Sequence, residues 1–182
     1  MPTYIAVLRG INVSGKNIIK MDALKGALQS NGFKQVKTYI QSGNIVFETV
    51  TSKNSVLEKR IHSLLQDEFS LTVPVLVRSL EEWFHIIAKN PFANSAGVDP
   101  KQLHCTLLSS VPDEIDEEKL NRVKQDDDYQ CIEDVVYLNV KAGYSDTKLS
   151  NAFLEKQLGR TATTRNWSTM LKLLELARSI TH

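Results

Sequence analysis

Arg9, Asn12 and Lys16 fall in one run, Arg-Gly-Ile-Asn-Val-Ser-Gly-Lys-Asn, which follows an apolar stretch and precedes a helical one. The basic residues supply positive charge, Asn12 and Asn17 supply amide groups, and Gly10 and Gly15 let backbone approach a guest closely. A glycine and lysine loop entering a helix offers backbone N–H groups and the positive end of the helix dipole, which suits it to phosphate or carboxylate. A second run, Tyr-Ile-Gln-Ser-Gly-Asn, adds Gln41, Ser42 and Asn44 as hydrogen-bonding groups and Tyr39 as an aromatic face for a base. In a third, Thr-Thr-Arg-Asn-Trp, Arg165 contributes a planar donor fork beside two threonines expected to cap a helix, with Trp167 as a core anchor.

Catalytic signatures are sparse. Gly10, Gly15 and Lys16 have the spacing of a Walker A loop, but Asn17 stands where a magnesium-binding Ser or Thr is needed, and no Walker B acid is apparent. Ser42 has no histidine or acid beside it in sequence, so only folding could supply a base for it as a nucleophile. His62, His85, His104 and His182 lack paired ligand spacing, so neither a metal nor a cofactor is expected. Cys105 and Cys131 lie in apolar or strand-like runs and read as small buried hydrophobes.

The elements that position these runs follow from periodicity. An apolar run over 3–8 predicts a buried strand, and Met21, Leu24 and Leu28 predict a helix over 20–30 stopped at Asn31-Gly32. Strands over 36–41 and 44–49 flank Ser42-Gly43, whose spacing suits a two-residue hairpin. A helix carrying Leu57, Ile61, Leu64 and Leu65, then a strand over 73–78, complete a β-α-β-β-α-β order. That order is the split-βαβ, ferredoxin-like arrangement. It places the end of the first strand and the hairpin at the same edge of the sheet.

Ser79-Leu-Glu-Glu82 is a capping box that opens a connector helix, and the Pro- and Gly-containing segment 90–100 reads as a linker. A strand over 103–108, a helix over 115–123, a hairpin of 129–133 with 135–141 and a helix over 145–158 restart the order. No fourth strand is legible after Gly159; instead Thr163 or Thr164 is expected to cap a last helix. The expected fold class is therefore α+β, a tandem of two ferredoxin-like halves, the second degenerate, with a C-terminal helix packed across them. The halves span 1–89, with the connector helix, and 101–182.

The chain has 182 residues, 42% of them hydrophobic and 24% charged, the composition of a globular protein rather than a disordered or coiled-coil one. It has no ~20-residue apolar stretch to span a bilayer, and the start lacks signal-peptide features, so a cytoplasmic location and no membrane partner are expected. A net charge of +1 gives no global field, yet polarity is sorted along the chain. Residues 1–60 carry nine basic against three acidic residues, and residues 111–134 ten acidic against three basic.

The three polar runs, from Arg9, Thr38 and Thr163, closely resemble the hallmark segments of a mainly bacterial family of uncharacterised proteins, domain of unknown function 1697. Ser14, where that family commonly has glycine, is a small departure. The resemblance implies a tandem α+β fold and a shared site at the three runs; it implies no activity. The expected function is binding of a small phosphorylated or nucleotide-like anion. Nucleic-acid binding by the basic first half, with Tyr39 stacking, is one alternative. The other is phosphoryl or acyl transfer on such a ligand, with Lys16 and Arg165 stabilising developing negative charge.

Overall fold

The computed structural model describes residues 1–181, so His182 lies outside the described residues. Among these the fold is mixed α+β, with two four-stranded antiparallel sheets and six α-helices. The chain divides into two compact units, Met1–His85 together with the segment from Lys172, and Ile86–Leu171.

In the first unit the order is β1 (Thr3–Leu8), α1 (Met21–Ser30), β2 (Lys34–Tyr39), β3 (Asn44–Glu48), α2 (Asn54–Phe69) and β4 (Val75–Ser79). The strands lie in the order β2-β3-β1-β4. Every residue of β1 is buried, as the unbroken apolar run requires for a central strand covered on both faces. Tyr4, Ala6 and Leu8 join Ile45, Phe47, Val75 and Val77 in one core with Leu24 and Leu28 of α1 and Leu57, Ile61 and Leu65 of α2. Phe33 meets the edge of Phe47 at 5.0 Å between ring centroids. The edge strand β4 is protected by carboxylates: the Val77 N–H donates to Glu58 Oε1 at 2.9 Å, and the Ser79 N–H to Glu82 Oε2 at 2.6 Å. The second bond, with Glu82 N–H donating back to Ser79 Oγ at 3.1 Å, is the expected capping box at the start of α3 (Leu80–Ala88).

The second unit contains β5 (Leu103–Leu108), α4 (Glu117–Val123), β6 (Asp128–Ile132), β7 (Val135–Asn139), α5 (Asn151–Leu158) and β8 (Ala162–Asn166), ordered β6-β7-β5-β8. Helix α6 (Trp167–Ile180) follows, and the division between units falls within α3 and α6. The strand β8 corrects the expectation that this half lacks a fourth strand. Its sequence, Ala-Thr-Thr-Arg-Asn, carries no apolar alternation, and it is a strand because it pairs with β5. Thr164 Oγ1 is 2.8 Å from Thr106 Oγ1 across that pairing and donates to Asn151 Oδ1 at 2.9 Å. Thr163 and Thr164 are thus strand residues. The residue that caps α6 is Asn166, whose Oδ1 accepts the Thr169 N–H at 2.9 Å.

The two units repeat each other at the level of single hydrogen bonds. The Leu8 N–H donates to Gly43 O at 2.8 Å, as the Leu108 N–H does to Asp134 O at 2.8 Å. The Arg9 N–H donates to Pro74 O at 3.1 Å, matched by the Ser109 N–H to Thr161 O at 2.9 Å. Ile5 opposes Arg78, and Cys105 opposes Arg165. Both arginines donate to the carbonyl of the preceding residue, Val77 at 2.8 Å and Thr164 at 3.0 Å.

Candidate functional site

At the end of β1 the chain turns outward into loop 9–17, and the β2–β3 connection reaches the same edge. The hairpin is longer than expected: residues 40–43, not Ser42-Gly43 alone, lie between β2 and β3. Ile40 has φ 51° and Gly43 φ 85°, and that pair of left-handed residues lets a four-residue connection close. Gly43 lies under the loop. A Cβ there would stand 2.7 Å from Ile11 Cδ1 and 2.7 Å from Leu8 Cβ, so only glycine lets the two segments meet.

Asn12 ties them together. Its Nδ2 donates to Gln41 O at 2.8 Å and to Ile19 O at 3.0 Å, while its Oδ1 accepts the Ile19 N–H at 2.9 Å. Asn17 Nδ2 donates to Gly10 O at 2.8 Å, and the Asn12 N–H to Asn17 O at 3.0 Å. Between them Val13 bridges Lys16, making a miniature hairpin whose tip residues, Ser14 (φ 51°) and Gly15 (φ 71°), both adopt the left-handed conformation of a type I′ turn. On the other side Asn44, wholly buried, donates to Tyr39 O at 2.9 Å and Ser42 Oγ at 2.8 Å.

These bonds sort the expected residues. Asn12, Ser42 and Asn44 hold the shape of the edge, whereas Lys16 and Gln41 are exposed and Arg9 is half-buried. Tyr39 is also half-buried. Lys172 of α6, in the same unit, is held above the usual lysine range, first by its hydrogen bond to Glu175 and by that carboxylate's charge, with a smaller contribution from Tyr39. Helix α6 is also tied to this sheet by Lys37 Nζ donating to Ser179 Oγ at 3.0 Å. Lys172 had no signal in the sequence beyond a lysine and glutamate three residues apart on a helix. Arg165 lies on β8, in the other unit. Burial pulls its guanidinium down to about 10, which leaves it charged at neutral pH.

Other polar groups serve the fold. Two grooves of about 400 Å³ flank α2, one lined by Phe33, Lys59 and Arg60 and the other by Glu58, His62 and Val75. Arg60 stacks over Phe33 at 4.5 Å and donates to Asn31 O at 3.1 Å; His62 Nδ1 is 3.1 Å from Val73 O. Cys105 is buried and Cys131 half-buried, both as free thiols. Burial, with the charge of Glu117, pushes Cys131 up to about 11, so it is not a thiolate at neutral pH. No group of three or more metal-ligating side chains occurs among the described residues, and no helix among them is long and apolar enough to cross a membrane.

The family model described as "Protein of unknown function (DUF1697)" matches residues 1–137. The chain belongs to this family. No curated protein matches it. Among solved structures it is similar to the conserved bacterial protein SP0830 from Streptococcus pneumoniae, with 22% identity, a TM-score of 0.69, and coverage of 97% of this chain and 98% of that one. At that identity the likeness concerns the fold. In this DUF1697 chain, two of the polar runs, both within the matched residues, are physically one object: loop 9–17 and hairpin 40–43 interlock through Asn12 and Gly43.

Ile40 is a β-branched residue in the left-handed region, at a cost of roughly 1–2 kcal/mol. Asparagine visits that region readily, and the Ile40 side chain is 49% exposed. Ile40→Asn is therefore expected to stabilise the protein by about 0.5–1 kcal/mol, read as a higher urea midpoint at unchanged slope.

Proposed function

We propose that this chain is a tandem of two ferredoxin-like units whose first unit binds a small anionic ligand, phosphorylated or nucleotide-like, at the edge formed by loop 9–17 and hairpin 40–43. The matched strand orders and hydrogen bonds of the two units support the tandem reading. The ligand reading rests on one observation: Asn12 clamps a glycine-rich basic loop onto the hairpin, so that Arg9, Lys16 and Gln41 are presented from a preorganised backbone. Left-handed residues at 10, 12, 14, 15 and 17 fold the loop back on itself. The Asn12 and Lys16 N–H groups are spent within the loop, on Asn17 O and Val13 O, so the anion is held by side chains on a fixed backbone. Arg9 and Lys16 supply the charge, the Gln41 side chain supplies an orienting amide, and Tyr39 stands beside them at the end of β2.

Lys16→Ala is expected to weaken phosphate or pyrophosphate binding by about tenfold to a hundredfold, the equivalent of losing a charge-assisted hydrogen bond of roughly 1.5–3 kcal/mol. Lys34→Ala removes an equally exposed charge from β2 of the same unit and should change binding little. Isothermal titration of the two variants beside the parent decides the matter. Equal losses would reduce the loop to general surface charge, and no binding by the parent would remove the proposal.

A further inference from the structure

Three of the exposed large aliphatic side chains sit on this same edge: Val13 at 55% exposure, Ile18 at 65% and Ile40 at 49%. Isolated exposed aliphatics are ordinary, but these stand on backbone segments that the Asn12 clamp holds together. Its amide bonds Ile19 O, next to Ile18, and Gln41 O, next to Ile40, while Val13 adjoins Asn12 itself. Ile40 is moreover displayed from a backbone conformation that disfavours a β-branched side chain. Between and beside them stand Arg9, Lys16 and Lys20, and the only acid among residues 1–47 is Asp22.

Protruding aliphatic tips framed by lysine and arginine, with no carboxylate in loop 9–17 or hairpin 40–43, match a surface that is anionic outside and apolar just beneath. That is the interface of a bilayer containing acidic lipids, where apolar side chains enter the headgroup boundary and basic ones meet phosphate. Nucleic acid fits less well. Its bases need aromatic or guanidinium planes to stack on, and the exposed tips here are Val and Ile, with both Tyr39 and Arg9 half-buried. We infer that the loop 9–17 and hairpin 40–43 edge docks reversibly on an anionic membrane surface, with Val13, Ile18 and Ile40 entering the interface and the phosphate site engaging lipid headgroups. This rests on the anion site proposed above and names its source as lipid. It departs from the expectation of no membrane partner, which follows from spanning segments and net charge, because the clamp brings distant segments of the chain to one edge.

The test is co-sedimentation of the full chain with large unilamellar vesicles of phosphatidylglycerol or of phosphatidylcholine, alongside titration with inorganic pyrophosphate. The parent should partition onto phosphatidylglycerol vesicles, release as salt rises, and ignore phosphatidylcholine. The Ile18→Ser, Ile40→Asn double variant should lose at least tenfold in partitioning while binding pyrophosphate like the parent, which also reports that it is folded. Lys16→Glu should lose both. Absence of partitioning by the parent, or undiminished partitioning by the double variant, overturns the inference. Retained pyrophosphate binding in that case leaves the anion site standing, whereas loss of pyrophosphate binding by the parent sinks the site itself. Binding of a single-stranded oligonucleotide more tightly than vesicles, insensitive to the double variant, would assign the edge to nucleic acid and overturn the membrane inference.

Discussion

Gly43→Ala should be among the most damaging single-methyl additions to the first unit, lowering stability by about 2–5 kcal/mol. Two independent penalties add. The residue has φ +85°, where an L side chain costs roughly 1–2 kcal/mol. The new methyl would also stand 2.7 Å from both Ile11 Cδ1 and Leu8 Cβ. Leu8 is the last residue of a buried central strand and Ile11 is 1% exposed, so neither neighbour can move aside without disturbing the core, and overpacking of this kind costs about 1–3 kcal/mol. Against a total stability of roughly 5–15 kcal/mol for a domain, that is a large share. Gly26→Ala is the matching control: Gly26 is exposed on helix α1, has ordinary φ and nothing within 4 Å of a would-be Cβ, and alanine there should stabilise by about 0.5–1 kcal/mol. Urea unfolding of the pair reads both signs. A neutral Gly43→Ala would mean that the hairpin does not pack on Ile11.

Asn12→Ala is expected to cost about 2–4 kcal/mol, since it removes three hydrogen bonds worth roughly 0.5–1.5 kcal/mol each and places alanine at φ 52°. Asn12→Gly removes the same bonds without the backbone penalty, so it should be milder by about 1 kcal/mol. Both variants should lose pyrophosphate binding, because the loop is no longer held against Gln41. If Asn12→Ala unfolds at the parent's urea midpoint, the clamp does not organise the edge, and the preorganisation on which the proposed function rests is gone.

Much of the architecture is written in local periodicity. The apolar runs of β1 and β5, the helical stripe of Met21, Leu24 and Leu28, the Ser79–Glu82 box and the stop at Gly159 each report a burial or capping requirement satisfied within a few residues. Those elements are legible because burial of alternate or every third to fourth residue leaves its mark on composition. The polar runs at 9–17 and 39–44 were also recognisable, and their meeting at one edge follows from the strand order.

What the tertiary structure decided is the role of each polar residue. An asparagine that clamps two loops and one that offers its amide to a ligand look alike in sequence; only the partners at 2.8–3.0 Å distinguish them for Asn12. The same holds for Thr163 and Thr164, which read as helix caps but belong to β8, because an edge strand with a polar face needs no apolar alternation and is defined by its partner β5. Lys172 joins the unit of Tyr39 from more than a hundred residues away. Local sequence thus determined which segments are buried and which are polar, since burial is imposed residue by residue. The four-residue hairpin, the fourth strand of the second unit and the seating of loop 9–17 on hairpin 40–43 depend on pairings between distant segments, and those are settled only when the chain has folded.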